Sequence, residues 1–388
     1  MTRSLILAAL TCALCAPVVV AAPIPAADVV IIADESGSMF SAYYTWLASM
    51  IQALEIDYKA AGVGFQPAFP NRYALFGYGS PTHQASELAH PHGSWMNAAA
   101  MANNITTNLQ VIPAGAIEDG YEAINTAVTT LAFRTGAFKT VILITDEDRD
   151  QALPALTIAS ICQLLGAKDA TLNSIVNGGF KAGVATALGV KWNGTAYIPT
   201  GGSNYITAPG GTYVAYLPGG NNMGSGTTLV DYVELSRQTC GSSWDIWQSW
   251  TNGAAMTNAF TDVKVEELAP MVQTLGAQTC ADWMLAMGCL LYNGGQDCWY
   301  WFEYRELGSL MWQQSTVWYP ALEGQIFTDY IRGLKPGTWY QVRAMVQNSV
   351  MKAKGADWCV QTRAPEVTQC GPWSQGAGSS CATNCGCK

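Results

Sequence analysis

The chain is poor in charge, in histidine and in catalytic signatures. Only 12% of its 388 residues are Asp, Glu, Lys or Arg, about half of the ~25% usual in soluble domains. Its 19 Lys and Arg stand against 28 Asp and Glu, a net charge of −9, and no basic cluster occurs. That excludes a phosphate-backbone binder, because nucleic-acid proteins gather cations on one face. There is no G-x-S-x-G elbow, no G-x-x-x-x-G-K-[ST] loop and no H-E-x-x-H. A Ser/His/Asp triad would have to draw on His83, His90 or His92, which share one segment, and nothing else points there. The chain therefore reads as a non-enzyme. Beyond the N-terminal segment no apolar run is long enough to span a bilayer, and the polar C-terminus argues against a lipid anchor.

What is present begins with an export signal. Arg3 supplies positive charge, Leu5 to Val20 is mostly apolar, and Val20-Ala21-Ala22 offers small residues for cleavage. Residues 1–22 are expected to be a signal peptide and the protein secreted. Cys12 and Cys15 leave with it. Ten cysteines remain, an even number that suits a disulfide framework in an exported chain. All ten are expected to be oxidised, with Cys162 and Cys240 bridging two helices. The run Cys381-Ala-Thr-Asn-Cys385-Gly-Cys387 reads as a disulfide knot before a soft-metal site. The sequons at Asn104 and Asn193 matter only in a eukaryotic host.

Two patterns divide the rest. From 28 to 275, strand-like runs (Val29–Ala33, Tyr73–Tyr78, Lys139–Thr145, Ala170–Val176, Thr212–Leu217) alternate with helical stretches near 40–60, 119–132, 153–166, 229–239 and 256–274. Alternation of this kind predicts an α/β domain, a doubly wound and mostly parallel sheet with helices on both faces. From 279 to 365 the period falls to two: Tyr300, Phe302 and Tyr304 share one face, Trp301, Glu303 and Arg305 the other. This predicts a small all-β sandwich. Residues 366–388 form a cysteine-rich tail. The aromatic density at Trp283–Tyr319 reads as sandwich core before a sugar-stacking surface.

One stretch carries chemistry. In "VVIIADESGSMF" an apolar strand ends in Asp34, followed by Ser36 and Ser38. A helix N-cap uses such residues, but so does a hard-cation site, since Mg²⁺ and Ca²⁺ take oxygen ligands. Asp146 also ends a strand, Val141–Thr145, and ligands of open parallel sheets sit at strand carboxyl ends. The pattern Asp34-Glu35-Ser36-Gly37-Ser38 with Asp146 downstream resembles the metal-ion-dependent adhesion site of the von Willebrand factor A family. The resemblance implies Mg²⁺ or Ca²⁺ held by Asp34, Ser36, Ser38 and Asp146, and a protein or matrix partner that completes the shell with an acidic side chain. The family's threonine falls in "AGAIEDGYEAI", where Glu118 stands instead. A third carboxylate overcompensates a divalent charge, weakens the pull on an acidic partner or closes the open position, and favours Ca²⁺. Alternatively Glu118 points to solvent or caps the helix that starts near Asp119.

The second domain resembles fibronectin type III, on "YIRGLKPGTWYQVRA" from Tyr330 and on Tyr304-Arg305. That implies core positions for Leu334 and Tyr340, with the Tyr340 hydroxyl pinning a corner. His90-Pro91-His92 has the spacing of a Zn²⁺ pair, yet no cysteine is near and the one close acid is Glu87, so a polar loop is expected. The expected function is metal-dependent binding or adhesion outside the cell. Its alternatives are an accessory or targeting part of a polysaccharide-active enzyme, and a structural matrix protein whose cation stabilises a loop.

Overall fold

A computed structural model describes residues 25–39, 41–80, 88–109, 117–214, 226–315 and 318–365. The expected signal segment and cysteine-rich tail lie outside them, as do His83 and Glu87. The chain begins β1 (Ala27–Asp34), α1 (Ser41–Ala60), β2 (Arg72–Tyr78), β3 (His90–Pro91), α2 (Ala98–Asn108), α3 (Gly120–Thr130), β4 (Phe138–Thr145), α4 (Ile158–Ala167) and β5 (Ala170–Val176). Six short strands follow: β6 (Gly179–Ala182), β7 (Ala185–Ala187), β8 (Gly189–Lys191), β9 (Ala196–Gly201), β10 (Asn204–Ala208) and β11 (Gly211–Val214). A π-helical turn at Leu229–Val233 leads into α5 (Glu234–Gln238), β12 (Ser242–Asp245), α6 (Gln248–Thr251) and α7 (Gly253–Glu266).

The large sheet has the order β10-β9-β8-β12-β5-β4-β1-β2-β3. Its five central strands are parallel and its edges antiparallel. Every residue of β1 is buried, as a strand covered on both faces requires. Val29 and Ile31 face a core built with α1, α2 and α7; Val30 and Ile32 face α3, α4 and α5. This is the expected doubly wound α/β architecture.

Several elements differ from the expectation. Helix α2 buries only Ala98, Met101, Ala102 and Ile105, an apolar stripe too thin to stand out in sequence. Strand β12, between the helical stretches expected at 229–239 and 256–274, is a polar Ser-Ser-Trp-Asp run that tertiary contacts bury: Ser243 Oγ lies 2.9 Å from Ser174 Oγ, and Trp244 packs with Tyr197 and Phe260. The described part of Thr212–Leu217 pairs antiparallel with β6 in a separate sheet. The helix expected over 256–274 ends at Glu266, and the next strand begins at Met271, so the sheet change comes before 275. Cys162 is a thiol that donates to Gln238 Oε1 at 3.4 Å, not a bridge to Cys240. Cys298 and Cys359 are also unbridged.

The second domain comprises β13 (Met271–Thr279), β14 (Trp283–Tyr292), β15 (Cys298–Glu306), β16 (Gln313–Gln314), β17 (Tyr319–Ala321), β18 (Ile326–Arg332), β19 (Trp339–Gln347), β20 (Lys352–Lys354) and β21 (Trp358–Gln361). One sheet is β13-β14-β18; the other centres on β15 and β19. Tyr300, Phe302, Phe327, Leu334 and Tyr340 fill the core they share, as the period-two pattern requires. The aromatic stretch is divided. Trp301 is fully buried beneath Trp318, stacked at 4.5 Å, while Trp318 itself is 47% exposed. The Lys335 N–H donates to the Tyr340 hydroxyl at 2.9 Å. Removing that oxygen by Tyr340→Phe strands a part-buried donor and is expected to cost about 1–2 kcal/mol. Urea unfolding followed through the sandwich tryptophans measures it, and an unchanged midpoint would refute the corner's contribution.

Candidate metal centre

β1 has β2 on one side and β4 on the other, so the chain reverses its winding direction at β1. The strand carboxyl ends at such a reversal are the usual ligand position of these sheets. Asp34 is the last residue of β1, and Asp146 follows β4. The Ser36 N–H donates to Asp34 Oδ1 at 2.8 Å, and the Thr145 hydroxyl donates to Asp34 Oδ2 at 2.7 Å. Ser36 Oγ lies 2.9 Å from Ser38 Oγ, and Ser38 Oγ donates to Asp146 Oδ1 at 2.9 Å. The Tyr44 hydroxyl donates to the Asp34 carbonyl oxygen and anchors the strand end to α1. Gly37 is exposed and Ser38 half-buried, so the group reaches the surface on the serine side.

The two ends of β1 are a natural comparison. Asp28 and Asp34 are both fully buried. Asp28 is paired with two guanidinium groups, Arg72 Nε at 2.8 Å and Arg134 Nε at 2.8 Å. Asp34 receives only neutral donors among the described residues. Burial, then the neighbouring Asp146 charge, pushes its pKa up to about 7, against the opposing Ser36 and Thr145 bonds. Burial pushes Asp146 up to about 6, with Ser38 opposing and Glu147 adding.

Glu118 joins this group. It is buried, not solvent-facing, and it does not cap α3. Asp119 does that, accepting from Tyr121 N at 3.1 Å and Glu122 N at 3.3 Å, and it is itself held by Arg149 Nε at 2.7 Å. A Cβ on Gly79 would lie 3.0 Å from Asp34 Oδ1 and 3.1 Å from Glu118 Cγ. Only glycine, at φ +78°, lets β2 end between these two acids. Burial first, then Asp34, Glu147 and Asp150, raises the Glu118 carboxyl to about 10. It is therefore neutral at ordinary pH in the metal-free protein, which departs from the expected trio of ionised carboxylates.

The donor set fits a hard divalent cation. It is all oxygen, and its Ser36–Ser38–Asp146 spacings of 2.9 Å are close to the ~3.0 Å edge of an octahedron with ~2.1 Å Mg–O bonds.

A second group lies beside it. Glu35 Oε2 is 3.0 Å from His90 Nε2, and Glu35 Oε1 is 3.1 Å from His92 Nε2. The three could hold a metal ion. Burial opposes ionisation of Glu35, but the His90 and His92 bonds outweigh it and lower its pKa. The expected polar loop at His90-Pro91-His92 is corrected here. The loop's acid is Glu35, 55 residues before His90 in the sequence, and only the pairing of β3 with β2 brings it near. The sequence signal was the position of Glu35 itself, directly after a buried strand.

No protein-family model matches the sequence, and no curated protein matches it. Among solved structures the chain is similar to a von Willebrand factor type A protein from Catenulispora acidiphila, at 12% identity over 88% of this chain and 67% of that one, TM-score 0.33. It is similar to an aerotolerance-related membrane protein from Bacteroides fragilis, at 13% identity over 62% of this chain and 99% of that one, TM-score 0.36. It is also similar to the fibronectin type-III domain of human fibronectin type III domain containing protein 3, at 15% identity over 24% of this chain and 85% of that one, TM-score 0.17. At these scores the likenesses carry no argument, and the fold rests on the strand order and register.

Asp34 has a folded pKa above its unfolded value, so its contribution to stability is full below about pH 4 and is lost as pH rises towards 7. In chelator, Asp34→Asn is expected to gain stability relative to the parent protein between about pH 5 and about pH 8. Thermal melts of both proteins across that range test it; parallel profiles would contradict the raised pKa.

Proposed function

We propose that the protein is an exported binding protein that holds Mg²⁺ or Ca²⁺ at Asp34, Ser36, Ser38 and Asp146, beside Glu118, and uses it to bind an acidic group of a protein or matrix partner. The observation that carries this reading is the Ser38–Asp146 bond at 2.9 Å, which joins the loop after β1 to the end of β4 through oxygens alone. Asp34, a buried carboxylate that no cationic side chain meets among the described residues, supports it further. The bound cation would act as a Lewis acid toward the partner's carboxylate. The chain's part is to aim two carboxylates and two hydroxyls at one point and to leave the serine side open. Glu118 stands where the resembled family has a neutral hydroxyl, and burial with its acidic neighbours raises its pKa in the metal-free protein. Export rests on the N-terminal segment alone. No helix among the described residues is long and apolar enough to cross a membrane.

A second reading, targeting of a polysaccharide, draws on the exposed Trp318 and on Trp312, which lies between the Arg305 and Arg343 guanidinium groups at 4.3 and 3.8 Å. Flat aromatic and cationic surfaces of this kind stack on ligands. A glycan-binding screen of the purified protein separates the two readings.

Calorimetric titration with Mg²⁺ and Ca²⁺ is expected to show one site, abolished by Asp34→Ala; equal curves for the two proteins would defeat the proposal. Glu118→Gln preserves a neutral oxygen donor. It is expected to change Mg²⁺ affinity by no more than about threefold, under ~0.7 kcal/mol. A loss of about tenfold or more would mean that Glu118 binds as an ionised ligand.

A further inference from the structure

We propose a second cation site, independent of the first, in which Glu35, His90 and His92 bind a borderline transition-metal ion, with Zn²⁺ the best match. Strand alternation separates the two sites. Successive side chains of a strand point to opposite faces. Val30 and Ile32 share the α3 face, so Asp34 falls on that face, and Glu35 falls on the opposite one with Val29, Ile31 and Ala33.

Three observations converge on this second face. The first is spacing. The ligand atoms of Glu35, His90 and His92 all lie within 4.8 Å of one another. The two Glu35–imidazole separations are 3.0 and 3.1 Å, close to the ~3.3 Å edge of a tetrahedron with ~2.0–2.1 Å metal bonds. Small movements around an entering ion suffice. The side chains are only 0%, 9% and 6% exposed.

The second is ring orientation. Both imidazoles turn Nε2 toward one carboxylate, and His90 Nδ1 lies 3.4 Å from the Leu88 carbonyl oxygen. With that carbonyl accepting from Nδ1–H, an entering ion that displaces the Nε2 proton shared with Glu35 would find Nε2 as a lone-pair donor, the arrangement that orients metal-bound histidines. His92 is fixed through its backbone, by its N–H to the Leu75 carbonyl at 2.9 Å and by Asn104 Nδ2 to its own carbonyl at 2.5 Å.

The third is the floor. Gly77 pairs with Ala33 on one side and His90 on the other, and a Cβ there would overlap both Glu35 Oε2 and His92 Nε2. The cluster occupies a cradle that only glycine leaves open. Two imidazole nitrogens and one carboxylate oxygen select Zn²⁺ and its neighbours over Mg²⁺ and Ca²⁺, which prefer oxygen alone. Three protein ligands leave a fourth position for water or another donor.

The test uses the full, chelator-stripped chain with saturating Mg²⁺, so that the oxygen site does not compete. Zn²⁺ is titrated against a chromophoric chelator, and Co²⁺ serves as a spectroscopic probe. The expected result is one equivalent of Zn²⁺ in both the parent protein and Asp34→Ala, with the visible bands of four-coordinate Co²⁺. His90→Gln and His92→Gln are expected to weaken Zn²⁺ by about tenfold or more, with the near-UV spectrum as the check on folding. Retention of Zn²⁺ by Asp34→Ala separates this site from the first. If the parent protein takes up no Zn²⁺, or if Asp34→Ala removes it, or if folded histidine variants bind it as the parent does, the proposal is overturned and the cluster is an ion-pair network.

Discussion

A carboxylate buried at the end of a central strand, with no cationic side chain among the described residues to meet it, is the constraint on which the rest depends. Desolvating a charge is costly unless it is paired. At the start of β1 the protein meets that cost for Asp28 with Arg72 and Arg134. At the other end it places Asp34 beside hydroxyls and further acids. The same strand therefore has one end neutralised by the chain and another whose carboxyls have raised pKa values in the metal-free protein, the end at which we propose a cation binds.

The winding of the sheet makes this crowding possible. β2 and β4 lie on opposite sides of β1, so the chain leaving β1 and the chain leaving β4 bring Asp34 and Asp146 together at the strand carboxyl ends. Gly79 lets Glu118 approach from the α3 side. Gly77 does the same for Glu35 and His92 on the other face. One glycine in β2 and another just after it thus leave room for two polar clusters that differ in donors: oxygens alone in one, imidazoles with a carboxylate in the other.

The sandwich owes its form to a separate logic. Its core is built from alternate residues of β14, β15, β18 and β19, and its outer face keeps aromatic and guanidinium groups in contact, Trp312 between Arg305 and Arg343 and Trp318 over Trp301. Buried aromatics and accessible ones are interleaved along one stretch, which is why composition alone did not separate core from surface.

The sequence by itself determined the elements whose signal is local. The apolar runs of β1 and β4, the alternation in β15, and the Asp34-x-Ser36-x-Ser38 and Asp146 positions at strand ends were all legible, because strand burial and hydroxyl spacing are written within a few residues. Tertiary structure decided what depends on distant parts of the chain. Ser242–Asp245 is a strand because a neighbouring strand and a hydrophobic layer bury it, not because its residues favour one. The Glu118 pKa is raised because the fold buries it and packs Asp34, Glu147 and Asp150 against it. Glu35 meets His90 and His92 because β3 returns alongside β2. Desolvation and charge coupling act through space, and no reading along one dimension contains them.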